Sequence, residues 1–267
     1  MGTTVLEYLS TFFNVFGDYG IVRLLIVFFV LAGLWLGLQR AGFDAGTRIA
    51  TWIAVAAPLL LWMTVVWQLA IADVFARRPG SLPALPFAIF VPLLIALPLL
   101  MRSQRLAIAL DYVPPAWLVG LQVYRIFGAA FLVQWGLGRL SGEFALPAGW
   151  GDVLTGLLAV PVALYLDSGA ARSRAVAVAW NLLGIFDLLL AITLGALTQT
   201  GILQGSGQAA SPISYPLVMI PAFAVPLSLI LHSMSLWQLK RMGQRSRSKR
   251  ELENSSDRTA ITHARSV

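Results

Sequence analysis

The sequence predicts an all-α integral membrane protein with seven transmembrane helices, an N-terminus outside the membrane and a cytoplasmic C-terminus. The first observation behind this is composition, because 58% of the residues are hydrophobic, 12% are charged and the mean hydropathy is +0.78. These values lie far from those of soluble domains. The second is a series of long apolar segments, and the third is an alternation of basic connections between them.

Seven apolar segments are long enough to cross a bilayer, whose hydrocarbon core of about 30 Å requires about 20 helical residues. We number these spans in chain order, and together they form a transmembrane domain over residues 20–239. The predicted spans are 20–38, 49–72, 83–101, 114–138, 150–167, 174–197 and 213–238. The fifth is the weakest, since only fourteen uncharged residues separate Asp152 from Asp167.

Residues 1–19 precede the first span and do not resemble a cleavable signal, because they carry Glu7 and Asp18 and no basic residue. Apolar residues from Val5 to Phe16 recur at helical spacing, which favours a short helix lying in the membrane interface. A frayed, disordered terminus is the alternative.

Arginine and lysine mark alternate connections, and retention of basic residues is typical of cytoplasmic loops. The predicted cytoplasmic side holds Arg40, Arg48, Arg102, Arg105, Arg172, Arg174 and a cluster after the last span. The other side holds Arg77, Arg78 and Arg139. This distribution predicts an outside N-terminus and a cytoplasmic C-terminus, which requires an odd number of spans.

The segment 240–267 is predicted to be a basic, disordered cytoplasmic tail. Its first eleven residues, "KRMGQRSRSKR", contain six of the basic residues of a chain with a formal net charge of +7. A cluster of this kind next to a membrane attracts anionic lipid headgroups. The sequence therefore predicts the lipid bilayer as a partner and no nucleic acid, and it is compatible with an oligomer or a larger complex.

Proline spacing indicates an internal repeat. Prolines 86, 92 and 98 of the third span correspond to prolines 216, 221 and 226 of the seventh, at offsets of 130, 129 and 128. The first three and last three spans would then form a parallel 3+1+3 repeat, an arrangement found in some transporters. Prolines are also frequent in membrane helices generally, so coincidence is the other explanation.

The stretches "YRIFGAAFLVQWGLGRLSGEFALPAGWGDVL" and "AWNLLGIFDLLLAITLGAL" resemble segments of uncharacterised bacterial multi-pass membrane proteins. The resemblance covers less than half of the chain and includes no catalytic motif. It implies a bacterial inner membrane and no particular activity.

Polar residues at membrane depth are the candidate functional residues, because a charge at the bilayer centre costs about 3 kcal/mol or more. They are Arg125 in the fourth span, Asn181 and Asp187 in the sixth, and His232 in the seventh. We predict that they line a substrate or ion pathway. Satisfaction by a neighbouring helix, for packing alone, is the competing interpretation.

Depth predicts which of these residues meet. At 1.5 Å per residue, Arg125 lies about 16 Å from Pro114, and Asp187 lies about 20 Å from Arg174 on the same side. We therefore predict that Arg125 faces the bundle interior and pairs with Asp187. Gly128 and Gly184, three residues from the two charges, would let the helix backbones approach.

His232 falls on a polar stripe with Ser228 and Ser235 at positions i, i+4 and i+7 of the seventh span. A histidine at this position could serve a proton relay. The alternative is a neutral imidazole bonded to a backbone carbonyl freed by Pro226 or to a group of the fifth span.

Glu143 and Asp152 are predicted to lie near the outer surface, where they form an acidic site or cap the fifth span. No metal site or cofactor is predicted. The chain contains no cysteine, and the estimated depths of His232, Asp187, Glu143 and Asp152 argue against convergence on a metal or in a serine hydrolase triad with Ser228.

Three functional hypotheses follow. The first is a small-solute or ion-coupled transporter with a polar site in the fourth, sixth and seventh spans. The second is a membrane-embedded enzyme or accessory subunit with an outward-facing acidic site. The third is a structural subunit of a membrane complex.

Overall fold

The structure, a computed structural model, describes residues 2–18, 20–76, 83–199 and 214–265. Within these ranges, seven helices are long and apolar enough to cross a membrane. They are Ile21–Arg40, Ala45–Ile71, Ala84–Arg102, Pro115–Gly136, Gly142–Asp167, Ser173–Thr198 and Ile220–Ser248. The predicted all-α architecture of a multi-pass membrane protein is thus confirmed. The orientation of the termini and the parallel repeat stay predictions, and Arg77 and Arg78 lie outside the described residues.

Two further helices lie outside the seven spans, and the second of them was not predicted. An N-terminal helix, Gly2–Asp18, packs against the end of the fourth span, where Ser10 accepts hydrogen bonds from Gln134 and Arg139 at 3.2 Å each. It corresponds to the helical alternative for residues 1–19, and its depth in the interface stays a prediction. A short helix, Gln104–Asp111, connects the third and fourth spans and packs against the first.

The fourth span changes helix type along its length. It runs as an α-helix over Pro115–Gly120, as a 3₁₀-helix over Leu121–Gly128, and as an α-helix again over Ala129–Gly136. The 3₁₀-helix has three residues per turn, so residues at i and i+3 share one face. Gln122, Arg125 and Gly128 therefore point in one direction, and all three are buried.

The fifth span begins earlier than predicted, at Gly142 rather than near residue 150. Pro147 lies in its second turn, where it removes one backbone donor of the helix. The earlier start places Asp152 ten residues inside the helix. The prediction that Asp152 lies at the outer surface or caps this helix is therefore wrong.

The seventh span also differs from its predicted bounds. A π-helical turn, Ile220–Ala224, contains Pro221, and a continuous α-helix then runs over Val225–Arg265. The segment beyond residue 239, predicted to be disordered, is thus helical in the structure. It contains no proline and is rich in arginine, which is a good helix former.

Packing is uneven among the spans. The fifth span makes the most extensive contacts, with the fourth and the sixth, and the seventh packs against the third, fourth and sixth. In the most apolar stretch of the seventh span 67% of the residues are buried, against 11% in the third. The fourth to seventh spans thus form the polar interior, and the second and third lie at its periphery.

Candidate functional site: a buried charge cluster

Arg125 lies at the centre of the polar interior and binds groups from three other spans. Its Nε donates to Oδ1 of Asp152 in the fifth span at 2.7 Å, and Nη2 donates to Oδ2 of Asp187 in the sixth. Its Nη1 lies 3.3 Å from the carbonyl oxygen of Gly184 and 3.3 Å from Nε2 of His232 in the seventh. The Arg125 side chain is 2% exposed, so these contacts replace hydration.

His232 connects this arginine to the sixth span. Its Nδ1 lies 2.9 Å from Oδ1 of Asn181, whose amide nitrogen donates to the carbonyl of Ala177 at 2.8 Å and to Oγ of Ser235 at 3.1 Å. Because Arg125 can only donate, Nε2 of His232 must accept, and Nδ1 then carries the ring proton. These hydrogen-bond roles define a neutral imidazole.

The fixed charges at this site do not balance. With His232 neutral, one guanidinium faces two carboxylates, which leaves one excess negative charge if both aspartates are ionised. An uncompensated charge away from water is costly. The arrangement can therefore hold one proton, on either aspartate, or one cation.

A second polar group includes Tyr124, the residue directly before the arginine. The hydroxyl groups of Tyr124 and Ser228 form a hydrogen bond, and Tyr124 also donates to the carbonyl of Ala224 at 3.4 Å. The amide nitrogen of Gln122 donates to the carbonyl oxygen of Ser228 at 3.2 Å. Ala224 is the last residue of the π-helical turn, so these contacts join the fourth span to the seventh beside that turn.

Glycines make room for the charged side chains. A Cβ atom at Gly128 would overlap Asp152, one at Gly151 would overlap Asp187, and one at Gly184 would lie 2.5 Å from the His232 ring and 3.1 Å from Arg125. At Gly156 it would lie 2.6 Å from the backbone nitrogen of Ile126. These distances are consistent with the predicted role of Gly128 and Gly184 in close approach of the helix backbones. Gly151 and Gly156 have the same role in the fifth span.

A cavity of about 100 Å³ borders the cluster. Its lining includes Tyr124, Arg125, Asp152 and Ser228, and also Phe13, Arg23, Gln134 and Pro216. The latter residues lie near the predicted outer ends of their segments. The remaining walls are mostly apolar, so a solute inside would meet polar groups at the cluster and at Arg23 and Gln134.

The structure brings most of the predicted polar residues together. Arg125 pairs with Asp187, as depth predicted, and Asn181 and His232 complete the network. The alternative partners proposed for His232, a backbone carbonyl or a group of the fifth span, are not the ones observed. Glu143 does not join the site, because it is exposed near the start of the fifth span.

Asp152 is the main residue that the sequence misplaced, and Tyr124 and Gln122 were not predicted at all. The sequence predicted that His232, Asp187, Glu143 and Asp152 lie at different depths and do not converge. This prediction is wrong for Asp152, Asp187 and His232, which surround the Arg125 guanidinium. That guanidinium fills the centre of the cluster. In the described part of the chain, no group of three or more His, Cys, Asp or Glu residues is arranged to hold a metal ion. Ser228 bonds to Tyr124, and no hydrolase triad forms.

The fold and this site define a multi-pass membrane protein with a buried charge cluster shared by four helices. The chain belongs to the family described as domain of unknown function DUF8737, whose model matches residues 82–240, more than half of the chain. The match contains every residue of the cluster and begins after the second span. No curated protein and no solved structure matches the chain.

Proposed function

We propose that the protein is a transporter of small organic solutes that couples their movement to a proton or another cation at the Arg125 cluster. The observation that carries this proposal is the excess negative charge of Asp152 and Asp187 against Arg125, at the polar end of a cavity between helices. Intramembrane ionisable residues of this kind are typical of ion pathways and proton relays.

The geometry supports coupling because one cation at the cluster would change its charge from negative to neutral. The cluster joins the fourth, fifth, sixth and seventh spans, so a change in its charge alters the attraction among all four. The seventh span has a π-helical turn at Pro221, close to Tyr124 and Ser228, where a helix can bend. Protonation and helix movement can thus be linked.

The observed positions of the acidic residues disfavour the enzyme hypothesis. An outward-facing acidic site requires Glu143 and Asp152 to converge, whereas they are nine residues apart on one helix, about 13 Å along its axis. Asp152 is buried against Arg125. The bacterial inner membrane stays our predicted location, on the grounds of the sequence resemblance.

Transport can be tested with purified protein in liposomes that carry an inward pH gradient. A panel of labelled small solutes is screened for uptake, and an internal pH dye reports proton entry. We expect uptake of at least one solute to accelerate proton entry. Asp152→Asn and Asp187→Asn, which mimic a permanently protonated carboxyl, should fold and lose gradient-driven uptake. Glu143→Gln, on the same helix as Asp152, is the matched control and should retain it.

A purely structural cluster predicts a different result. Both asparagine variants would then transport at the rate of the parent protein, or no protein-dependent flux would occur for any solute while all variants fold. Either outcome would overturn the proposal.

A further inference from the structure

The cavity at the charge cluster is lined by a second guanidinium, that of Arg23 in the first span. Arg125 binds two aspartates and a backbone carbonyl. Within the described residues, Arg23 forms no ion pair and donates no hydrogen bond, although its side chain is partly buried. A guanidinium has five N–H donors and no acceptor, so the donors of Arg23 are available to an anion in the cavity.

Two neighbours position the Arg23 guanidinium. Its Cζ lies 5.4 Å from the ring centroid of Trp67 in the second span, a cation–π contact. The Trp67 indole is itself held by a hydrogen bond from Nε1 to the hydroxyl of Tyr215 at 3.2 Å. A Cβ atom at Gly20 would lie 2.6 Å from Nη2 of Arg23, so this glycine leaves space for the guanidinium. A side chain that is already positioned loses less entropy when it binds a ligand.

The charge and lining of the cavity restrict the ligand. Because Arg125 is already paired, Arg23 contributes one positive charge without a counter-ion, which a singly charged anion balances. The planar fork of an arginine matches the two oxygens of a carboxylate. Most other lining residues are apolar, among them Phe13, Val22 and Ile26. The cavity volume of about 100 Å³ corresponds to about three water molecules at about 30 Å³ each, so the ligand is a small carboxylate with a short apolar chain.

We infer that Arg23 binds the carboxylate group of a small monocarboxylic acid in this cavity, and that such acids are the substrate class. The inference rests on the proposed transport function, whose substrate it names. The carboxylate binds Arg23 near the predicted outer end of the first span, and the proton binds deeper, at Asp152 or Asp187. One carboxylate and one proton together add no net charge, so the loaded and empty cavities carry the same charge.

The inference can be tested by thermal unfolding of the full chain in an uncharged detergent, without any gradient. Sodium acetate, propionate or lactate is titrated, with sodium chloride at equal ionic strength as the reference. A ligand that binds the folded protein raises its melting temperature. We expect saturable stabilisation by at least one of the carboxylates beyond that by chloride, and none by propionamide, which has the shape of propionate without its charge.

Four variants locate the binding site. Arg23→Gln removes the charge and should weaken carboxylate binding about ten- to hundred-fold. Arg23→Lys, which keeps the charge without the planar fork, should weaken it less. Arg139→Gln removes an arginine of the same predicted side that does not line the cavity, and as the matched control it should bind as the parent protein does. Val22→Phe narrows the cavity beside an intact Arg23 and should abolish binding.

The inference would be overturned if no carboxylate stabilised the protein more than chloride does, or if propionamide bound as well as propionate. It would also fail if Arg23→Gln bound no more weakly than Arg139→Gln. Retained binding in Val22→Phe would place the anion outside the cavity and overturn it as well. Failure of the proposed function is distinguishable: carboxylate binding without proton-coupled flux would refute transport and keep the ligand of Arg23. Proton-coupled uptake of neutral solutes by a chain that binds no carboxylate would refute only the role of Arg23.

Discussion

The first three spans and the last four associate through different kinds of interaction. Within the described residues, Thr51 is the one buried polar residue of the first three spans, whereas the last four bury an arginine, two aspartates, a histidine and several amides and hydroxyls. Lipid tails are as apolar as leucine, so burial of apolar side chains contributes little to association within the hydrocarbon region. The comparison suggests that hydrogen bonds, ion pairs and close backbone approach hold the last four spans together.

Backbone geometry also differs between the two regions: it is regular in the first three spans and locally irregular in the last four. The first three spans are α-helices throughout, even where Pro58, Pro92 and Pro98 occur inside them. The fourth and seventh spans contain a 3₁₀ segment and a π-helical turn, and both lie beside polar side chains. Irregular backbone at membrane depth is tolerated where it is buried in protein, and here it aligns Gln122 and Arg125 on one face.

The largest expected effect comes from removing the arginine. Arg125→Ala would leave two buried carboxylates without their cation, and loss of one member of a buried ion pair typically costs about 3–5 kcal/mol. Denaturant unfolding in detergent micelles measures this change. Leu94→Ala, at an exposed position of the third span, should change the free energy of unfolding by less than about 0.5 kcal/mol.

A triple variant separates lost charge balance from lost packing. Arg125→Met combined with Asp152→Asn and Asp187→Asn removes all three charges at similar volume, and it should recover much of the lost stability. If Arg125→Ala were as stable as the parent protein, the cluster would not hold the four spans together, and the contrast with the first three spans would fail.

The next effect concerns close approach of the helices. Gly128→Ala would force the new methyl group into Asp152, and overpacking of this kind typically costs about 1–3 kcal/mol. Gly120→Ala, in the same span, is the matched control, because the nearest atom to its new Cβ lies 3.8 Å away. We expect Gly120→Ala to be neutral or slightly stabilising. Equal stability of the two variants in thermal unfolding would contradict the role of Gly128.

Sequence reasoning reached the Arg125–Asp187 pair because both charges stood out in apolar segments and their depths could be counted from the predicted membrane surface. It failed for Asp152 because that count depends on where the fifth span begins. Glu143, Pro147 and the nearby glycines are typical of a loop, so the span appeared to start near residue 150. Tertiary contacts with the fourth and sixth spans stabilise the extra helical turns. The 3₁₀ segment could not be predicted from the sequence, because its residues are equally compatible with an α-helix.

A smaller effect is expected at the hydroxyl pair between the fourth and seventh spans. Tyr124→Phe keeps the ring and removes the hydrogen bond to Ser228, at a cost of about 1 kcal/mol. Tyr112→Phe, at an exposed tyrosine of the neighbouring connection, is the control for loss of a hydroxyl. Thermal unfolding of the two variants side by side checks this expectation, and a more stable Tyr124→Phe protein would show that the hydroxyl pair is not a stabilising contact.

The smallest effect lies at the predicted cytoplasmic end, where two partly exposed arginines join the two regions by pairing with Asp111, whose side chain is 4% exposed. Asp111 of the short helix accepts from Arg241 at 2.7 Å and also pairs with Arg245, so two residues of the basic cluster predicted to contact lipid headgroups instead bind a protein carboxylate. The side chains of Arg241 and Arg245 are 27% and 58% exposed, which limits the strength of both pairs through solvent screening.

We expect Asp111→Asn to cost about 1 kcal/mol or less, and the difference from the parent protein to shrink as salt rises from about 0.01 M to 1 M, where screening shortens the reach of exposed charges. Glu251→Gln, which removes an exposed charge farther along the same helix, is the control and should show no such salt dependence. Arg125→Ala, measured in the same salt series, should keep its full cost, because its partners are buried. If salt reduced both effects equally, the distinction between a screened surface contact and a buried cluster would be wrong.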